Sequence, residues 1–187
     1  MVKTQEPPEG LYFKANVISK KTADDALEYV SQFPSYFTKV RASSKGPNTR
    51  ATFGYQPYCE RKIPVPKLSV ELMALYQEAV DGIPEFRESA QPQSCTVNVY
   101  PAKTGVGAHK DPPVHRDCVV GVTLHLDPKT PSIMQFAKDN YTYDQPTPHG
   151  SVYIMTGPCY SDWTHARKKN AKQGGDVYSF TFRSPNE

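Results

Sequence analysis

Thr96-Val-Asn-Val-Tyr-Pro-Ala-Lys-Thr-Gly-Val-Gly-Ala-His-Lys-Asp111 reads as a short alternating strand, a Gly-containing loop and a His-x-Asp pair. On an extended segment, side chains two residues apart point to one side, so His109 and Asp111 can grip one metal ion. A second His returning from downstream would complete a 2-His-1-carboxylate set, which binds Fe(II) on one face and leaves positions open. The rest of the chain must then supply that His, an anchor for a co-substrate and a pocket.

At 187 residues the chain is long enough for one domain with a substantial core. Its 18 Pro and 12 Tyr suit turns and short strands better than long helices. No apolar run approaches the roughly 20 residues that span a bilayer. Met1 to Gly10 is polar and has no apolar signal segment, so a soluble, intracellular protein is expected, with cytoplasm and nucleus both open. Cys59, Cys95, Cys118 and Cys159 are scattered without a C-x-x-C and read as reduced structural thiols. The net charge of +3 hints only weakly at an anionic partner.

Leu11 to Ile18 is β-rich and predicts an early strand. A helix follows, with Thr22 as N-cap and Ala23, Ala26, Leu27, Val30 and Phe33 on one face, closed by Pro34. Val40 to Arg50 is basic and broken by Gly and Pro, and reads as a loop. Ala51-Thr-Phe-Gly-Tyr-Gln-Pro-Tyr58 is an aromatic cluster around a Gly. It fits a packed turn equally well as a flap whose rings stack on a flat substrate, where stacking is worth about 1–3 kcal/mol per base. Ser69 caps a second helix that buries Leu72, Leu75, Tyr76, Ala79 and Val80 and ends at Gly82. Beyond it, Thr96–Tyr100, Val119–Leu126, Ile133–Phe136, Ser151–Met155 and Val177–Phe182 read as strands. Helices followed by a run of strands predict an α+β domain, a two-sheet jelly roll with the N-terminal helices buttressing one sheet.

The chain holds five His and three His-x-Asp pairs: His109/Asp111, His115/Asp117 and His125/Asp127. The pair itself is weak, and position moves the choice only modestly toward the first. His125/Asp127 fits a strand end and a turn before Pro128, and His115/Asp117 a charged loop. His109 and Asp111 follow Gly105-Val-Gly107, which lets backbone bend toward a ligand. Strand parity adds to this. Asn98 and Tyr100 share one face of their strand opposite Val97 and Val99; Ser179, Thr181 and Arg183 share a face opposite Tyr178, Phe180 and Phe182. Two strands with polar faces fit a cavity lined for a polar small molecule, although an isolated Arg183 would read as a surface charge. The second His comes from His149 or His165.

These residues resemble the AlkB-type 2-oxoglutarate- and Fe(II)-dependent dioxygenases. The resemblance runs from about Phe53 to Arg183. It rests on Asn98-Val-Tyr100, His109-Lys-Asp111, Ser132-Ile-Met-Gln-Phe136, His149-Gly-Ser-Val-Tyr-Ile-Met155, His165 and Ser179-Phe-Thr-Phe-Arg183, each short but specific in order and spacing. It implies a double-stranded β-helix, with His109, Asp111 and His165 as iron ligands. Asn98, Tyr100 and Arg183 would hold 2-oxoglutarate, with Ser179 and Thr181 on the same wall, and O2 as oxidant. Residues 1–187 then form one dioxygenase domain: a flexible 1–10, an extension over 11–92 with two helices and a recognition lid, and a jelly-roll core over 93–184. Phe53, Tyr55 and Tyr58 fall where the family carries its nucleotide-recognition lid. Two positions depart from the pattern. Val177 stands where the family has a second Arg, leaving the co-substrate held with one cation fewer. Pro113 stands where the bacterial dealkylase has an acidic residue that contacts the base.

The function this implies is oxidative demethylation or hydroxylation of a methylated base in DNA or RNA, on a base out of the stack or in a single strand. Arg41, Lys45, Arg50, Arg61, Lys62, Arg167, Lys168, Lys169 and Lys172 are available for phosphate contacts, although solvated surface explains most such residues. A same-fold dioxygenase acting on a protein side chain or small molecule is the alternative. A non-catalytic jelly-roll binding module is a third, against which an intact ligand triad speaks. A monomer is expected, with no protein or membrane partner.

Overall fold

The computed structural model describes residues 6–39, 48–55, 65–86, 91–111 and 118–184. Two antiparallel sheets face each other, with two long helices packed on the outside of the larger one. The strands are β1 (Leu11–Lys14), β2 (Thr38–Lys39), β3 (Thr49–Gly54), β4 (Ser94–Tyr100), β5 (Val106–His109), β6 (Cys118–His125), β7 (Ser132–Lys138), β8 (Tyr141–Thr147), β9 (Ser151–Thr156), β10 (Thr164–Arg167) and β11 (Val177–Arg183). The major sheet runs β1-β9-β6-β11-β4-β3-β2 and the minor sheet β5-β10-β7-β8. This is a jelly-roll arrangement whose sheets do not close into a barrel.

The helices are α1 (Lys20–Ser31), α2 (Val70–Asp81) and the short α3 (Gly157–Ser161). Ser69 caps α2 as expected, accepting from the Leu72 amide. Helix α1 begins earlier than its Thr22 signal. Ser19 is the N-cap, because its hydroxyl accepts from the Thr22 amide while its own amide donates to Glu78 Oε1 on α2 at 2.8 Å. The cap thus ties the two helices together, a contact that local spacing cannot show.

Parity along the central strands divides the molecule into two cores. Val120, Val122 and Leu124 of β6, Val97 of β4, and Phe180 and Phe182 of β11 join Ala23, Ala26, Val30, Leu72, Leu75 and Ala79 in the helix-side core. Val119, Met134, Phe136, Tyr153 and Met155 form a smaller cluster between the sheets. Asn98, Tyr100, Ser179, Thr181 and Arg183 give the rest of the inward face of the major sheet a polar character, and that gap between the sheets is where the site lies.

Phe53 departs from its expected place in a substrate lid. It is a β3 residue, fully buried, with ring centroids 5.7 Å from Tyr29 and 5.7 Å from Phe33. The parity of β3 explains this, since Ala51 and Phe53 both face the helices. Tyr55, just past the strand, is 49% exposed, and Tyr58 lies outside the described residues. Phe53→Ala should therefore cost about 3–5 kcal/mol of stability, as other buried aromatic truncations do. Urea denaturation measures this, and a ligand-affinity loss without a stability loss would contradict the placement.

Candidate metal and co-substrate site

Strands β5 and β10 pair antiparallel, and their register sets His165 directly opposite His109. Gly105 allows this pairing by close approach rather than by a bend: a Cβ there would lie 2.2 Å from the Arg167 carbonyl oxygen. The two imidazole centroids are 4.4 Å apart. Asp111 follows two residues after His109, and one ligand atom from each of the three residues lies within 4.8 Å of the others.

The chemistry of these atoms suits a cation. His109 Nδ1 is 2.9 Å from the Gly107 carbonyl oxygen, so the Nδ1–H donates and Nε2 keeps its lone pair. Burial lowers the His165 pKa from its ordinary 6.5 to about 4, opposed by the Asp111 carboxylate, so the ring is neutral at physiological pH. Asp111 Oδ1 accepts from Arg183 Nη2 at 2.8 Å, while Asp111 Oδ2 is buried with no partner among the described residues. Burial alone would raise the Asp111 pKa, but Arg183 and the two imidazoles outweigh it and hold the carboxyl below its ordinary range. A metal ion between the three side chains would satisfy the orphaned oxygen.

The triad opens into a small cleft between the sheets. Asn98 and Tyr100 of β4 and Ser179, Thr181 and Arg183 of β11 line it, together with the three ligand candidates. All eight residues that the sequence assigns to metal and co-substrate thus meet in one place. The β4–β11 register explains their convergence, pairing Asn98 with Ser179 and Tyr100 with Val177.

The other His-x-Asp pairs go elsewhere. His125 is buried, and its Nε2 is 2.9 Å from the Thr147 carbonyl oxygen, while Asp127 accepts from the Lys129 amide in a turn. His149 Nδ1 sits 3.0 Å from the His125 backbone nitrogen and so serves that turn. His115, Asp117 and Pro113 lie outside the described residues.

Of two residues expected to contact substrate phosphates, Lys168 stays on the surface and Arg167 does not. Lys168 pairs with Asp144 Oδ2 at 2.7 Å on the outer face of the minor sheet. Arg167 is 5% exposed and lines the cleft, with its guanidinium 4.9 Å from the Tyr100 ring centroid. It donates from Nη1 to Ser132 Oγ, and Nη2 is 3.5 Å from Thr123 Oγ1. The period of two was the available signal: on a strand, residue 167 shares the face of His165, so an inward His implies an inward Arg. The basic run Arg167-Lys-Lys169 concealed that strand. Tyr153 is also in the cleft wall, without a motif of its own in the sequence; its ring lies over Gly121, where a Cβ would fall 2.0 Å from the ring.

No family model and no curated protein matches the chain. Solved structures do match in fold. OsALKBH1 superposes with a TM-score of 0.69 at 15% identity, over 96% of this chain and 100% of that one. A prolyl hydroxylase from Trichoplax adhaerens, solved with a hypoxia inducible factor oxygen degradation domain peptide fragment, gives 0.63 at 15% identity, over 93% and 82%. A Pseudomonas putida prolyl-4-hydroxylase gives 0.59 at 14% identity, over 95% and 94%. The likeness is one of fold, and it agrees with the jelly roll that the sequence implied.

Two measurements test this site. His165 and His125, both with pKa values lowered to about 4, stay neutral in the folded protein while the unfolded chain takes up their protons near pH 6.5. The unfolded state binds more protons between those values, so the stability of metal-free protein falls as pH drops from about 6.5 toward 4. The depressed Asp111 adds a loss in the same direction at the acid end. Urea midpoints at successive pH values report this. Arg183→Leu, which removes the donor to Asp111, should weaken Mn(II) binding about 10- to 100-fold, as loss of a ligand's hydrogen-bond partner does; electron paramagnetic resonance of free Mn(II) measures it.

Proposed function

We propose that this chain is an Fe(II)- and 2-oxoglutarate-dependent dioxygenase that demethylates or hydroxylates a methylated nucleobase in DNA or RNA. The observation that carries the reading is the His109–Asp111–His165 cluster, with its carboxylate braced by Arg183, at the mouth of a polar cleft between jelly-roll sheets. Three protein ligands on one side leave room for a chelating 2-oxoacid and O2. Bound together, these supply one oxygen atom to a substrate C–H bond while the 2-oxoacid loses CO2 and becomes succinate.

The chain's own residues supply position and electrostatics. Arg183 keeps Asp111 ionised and fixes its rotamer. Asn98, Tyr100, Ser179 and Thr181 present hydrogen-bonding groups along the floor of the cleft, and Met134 and Tyr153 exclude water from one wall. On an N-methyl group, hydroxylation produces a hemiaminal that releases formaldehyde; on a carbon-bound methyl group the alcohol persists.

The match to OsALKBH1 supports a nucleic-acid substrate, and of the described lid aromatics Phe53 and Tyr55 it is Tyr55 that is exposed for stacking. A second reading, hydroxylation of a protein side chain, is favoured by the two prolyl hydroxylase folds and by the burial of Phe53 away from any substrate. Among the described residues no helix is long and apolar enough to cross a membrane.

Anaerobic addition of Fe(II) and 2-oxoglutarate should produce the weak visible charge-transfer band of the chelate, and His109→Ala or Asp111→Ala should abolish it. Folded protein without the band would defeat both enzyme readings. Succinate formation stimulated by methylated oligonucleotides selects the first reading, and stimulation by peptides selects the second.

A further inference from the structure

Arg167 is a buried cation whose partners among the described residues are neutral. Its guanidinium rests on the Tyr100 ring and reaches the hydroxyls of Ser132 and Thr123. Among the described residues no carboxylate lies within salt-bridge distance of it. Removing a cation from water without a counter-charge costs several kcal/mol, so such a group is kept where an anion completes it. The other cation of the cleft, Arg183, is already bonded to Asp111. The strand position from which a second cation was expected on β11 is Val177, which is fully buried and pairs with Tyr100 and His125.

The spacing fits a short dicarboxylate. His165 and Arg167 are two residues apart on β10, which places them about 7 Å apart along the strand. A five-carbon 2-oxoacid chelating a metal at His165 extends its far carboxylate over a distance of that order. Ser132 and Thr123 accept from the guanidinium and hold it at the cleft wall.

We infer that Arg167, on the strand that carries His165, binds the far carboxylate of the 2-oxoacid and sets the selectivity for a dicarboxylic over a monocarboxylic co-substrate. The cation that the chain lacks at position 177 is thereby supplied from the opposite sheet. This inference rests on the dioxygenase reading. Arg183 keeps its place beside the metal, and Arg167 takes the other end of the molecule.

Calorimetry on the Mn(II)-loaded chain tests this without turnover. Wild type should bind 2-oxoglutarate far more tightly than 2-oxovalerate, which has the same carbon count and no far carboxylate. Arg167→Gln should weaken 2-oxoglutarate roughly 10- to 150-fold, the range of one charged hydrogen-bonded contact, and leave 2-oxovalerate and Mn(II) affinity nearly unchanged. Arg167→Lys, which keeps the charge, should retain part of the discrimination and serves if the Gln variant fails to fold. In metal-free protein without co-substrate, Arg167→Gln should melt no lower than wild type, because an uncompensated charge has been removed. Equal discrimination by wild type and Arg167→Gln would overturn the inference alone. A wild type that binds Mn(II) but not 2-oxoglutarate would overturn the dioxygenase reading and this inference with it.

Discussion

The hydrogen bond from Arg183 Nη2 to Asp111 Oδ1, 2.8 Å long, joins the two sheets of the molecule. Arg183 ends β11 in the major sheet, and Asp111 follows β5 at the edge of the minor one. Both side chains are largely buried, with 11% and 6% of their surface exposed. Removing one member of such a pair strands the other charge in the interior, which typically costs about 3–5 kcal/mol. The bond also decides the state of the site. It holds the carboxylate ionised and leaves the second oxygen free beside the two imidazoles. Sheet closure and metal competence therefore depend on the same contact.

The two cores divide the work. The helix-side core is continuous and apolar, built from alternate residues of β3, β4, β6, β9 and β11 against α1 and α2. It can hold the major sheet rigid without help from the opposite face. The space between the sheets then need not be filled with hydrocarbon. Its apolar part is limited to the cluster around Phe136, Tyr153 and Met155, and the rest is given to Asn98, Thr123, Ser132, Ser179, Thr181 and the two arginines. A polar cleft at the centre of a sandwich is costly unless its groups find partners. Among the described residues Asp111 Oδ2 and Arg183 Nε, both in the cleft wall, remain without them, as do His125 Nδ1, Ser151 Oγ and Gln173 Oε1 away from it. The two in the cleft belong to the bonded Asp111–Arg183 pair, where a metal ion would meet the free carboxylate oxygen.

Much of the site was legible because strands have a strict period of two. Parity placed Asn98 and Tyr100, and Ser179, Thr181 and Arg183, on inward faces before any partner strand was known, and β4–β11 pairing brought them together. Parity is silent where the strand itself is not legible. Strand β8 contains Pro146 and an acidic residue, and β10 is only four residues long and runs into a basic stretch. Without β10, Arg167 read as surface charge. Phe53 failed differently: its β3 alternation with Ala51 pointed to one apolar face, but the Gly and Tyr that follow suggested a flap. The Ser19 cap is itself local, accepting from the Thr22 amide three residues on; only its tie to Glu78, 59 residues away, is a tertiary contact.

By itself the sequence determined the alternation of polar and apolar residues, the α2 cap at Ser69, the His-x-Asp spacing and the presence of an arginine at the end of the last strand. These are local properties, set by backbone period and residue chemistry. Only the tertiary structure decided the register that sets His109 opposite His165, that Phe53 belongs to the core, and that Arg167 points into the cleft. Each of those depends on strand pairing between segments far apart in the chain. Spacing along one strand can tell which side chains share a face, but not what that face will meet.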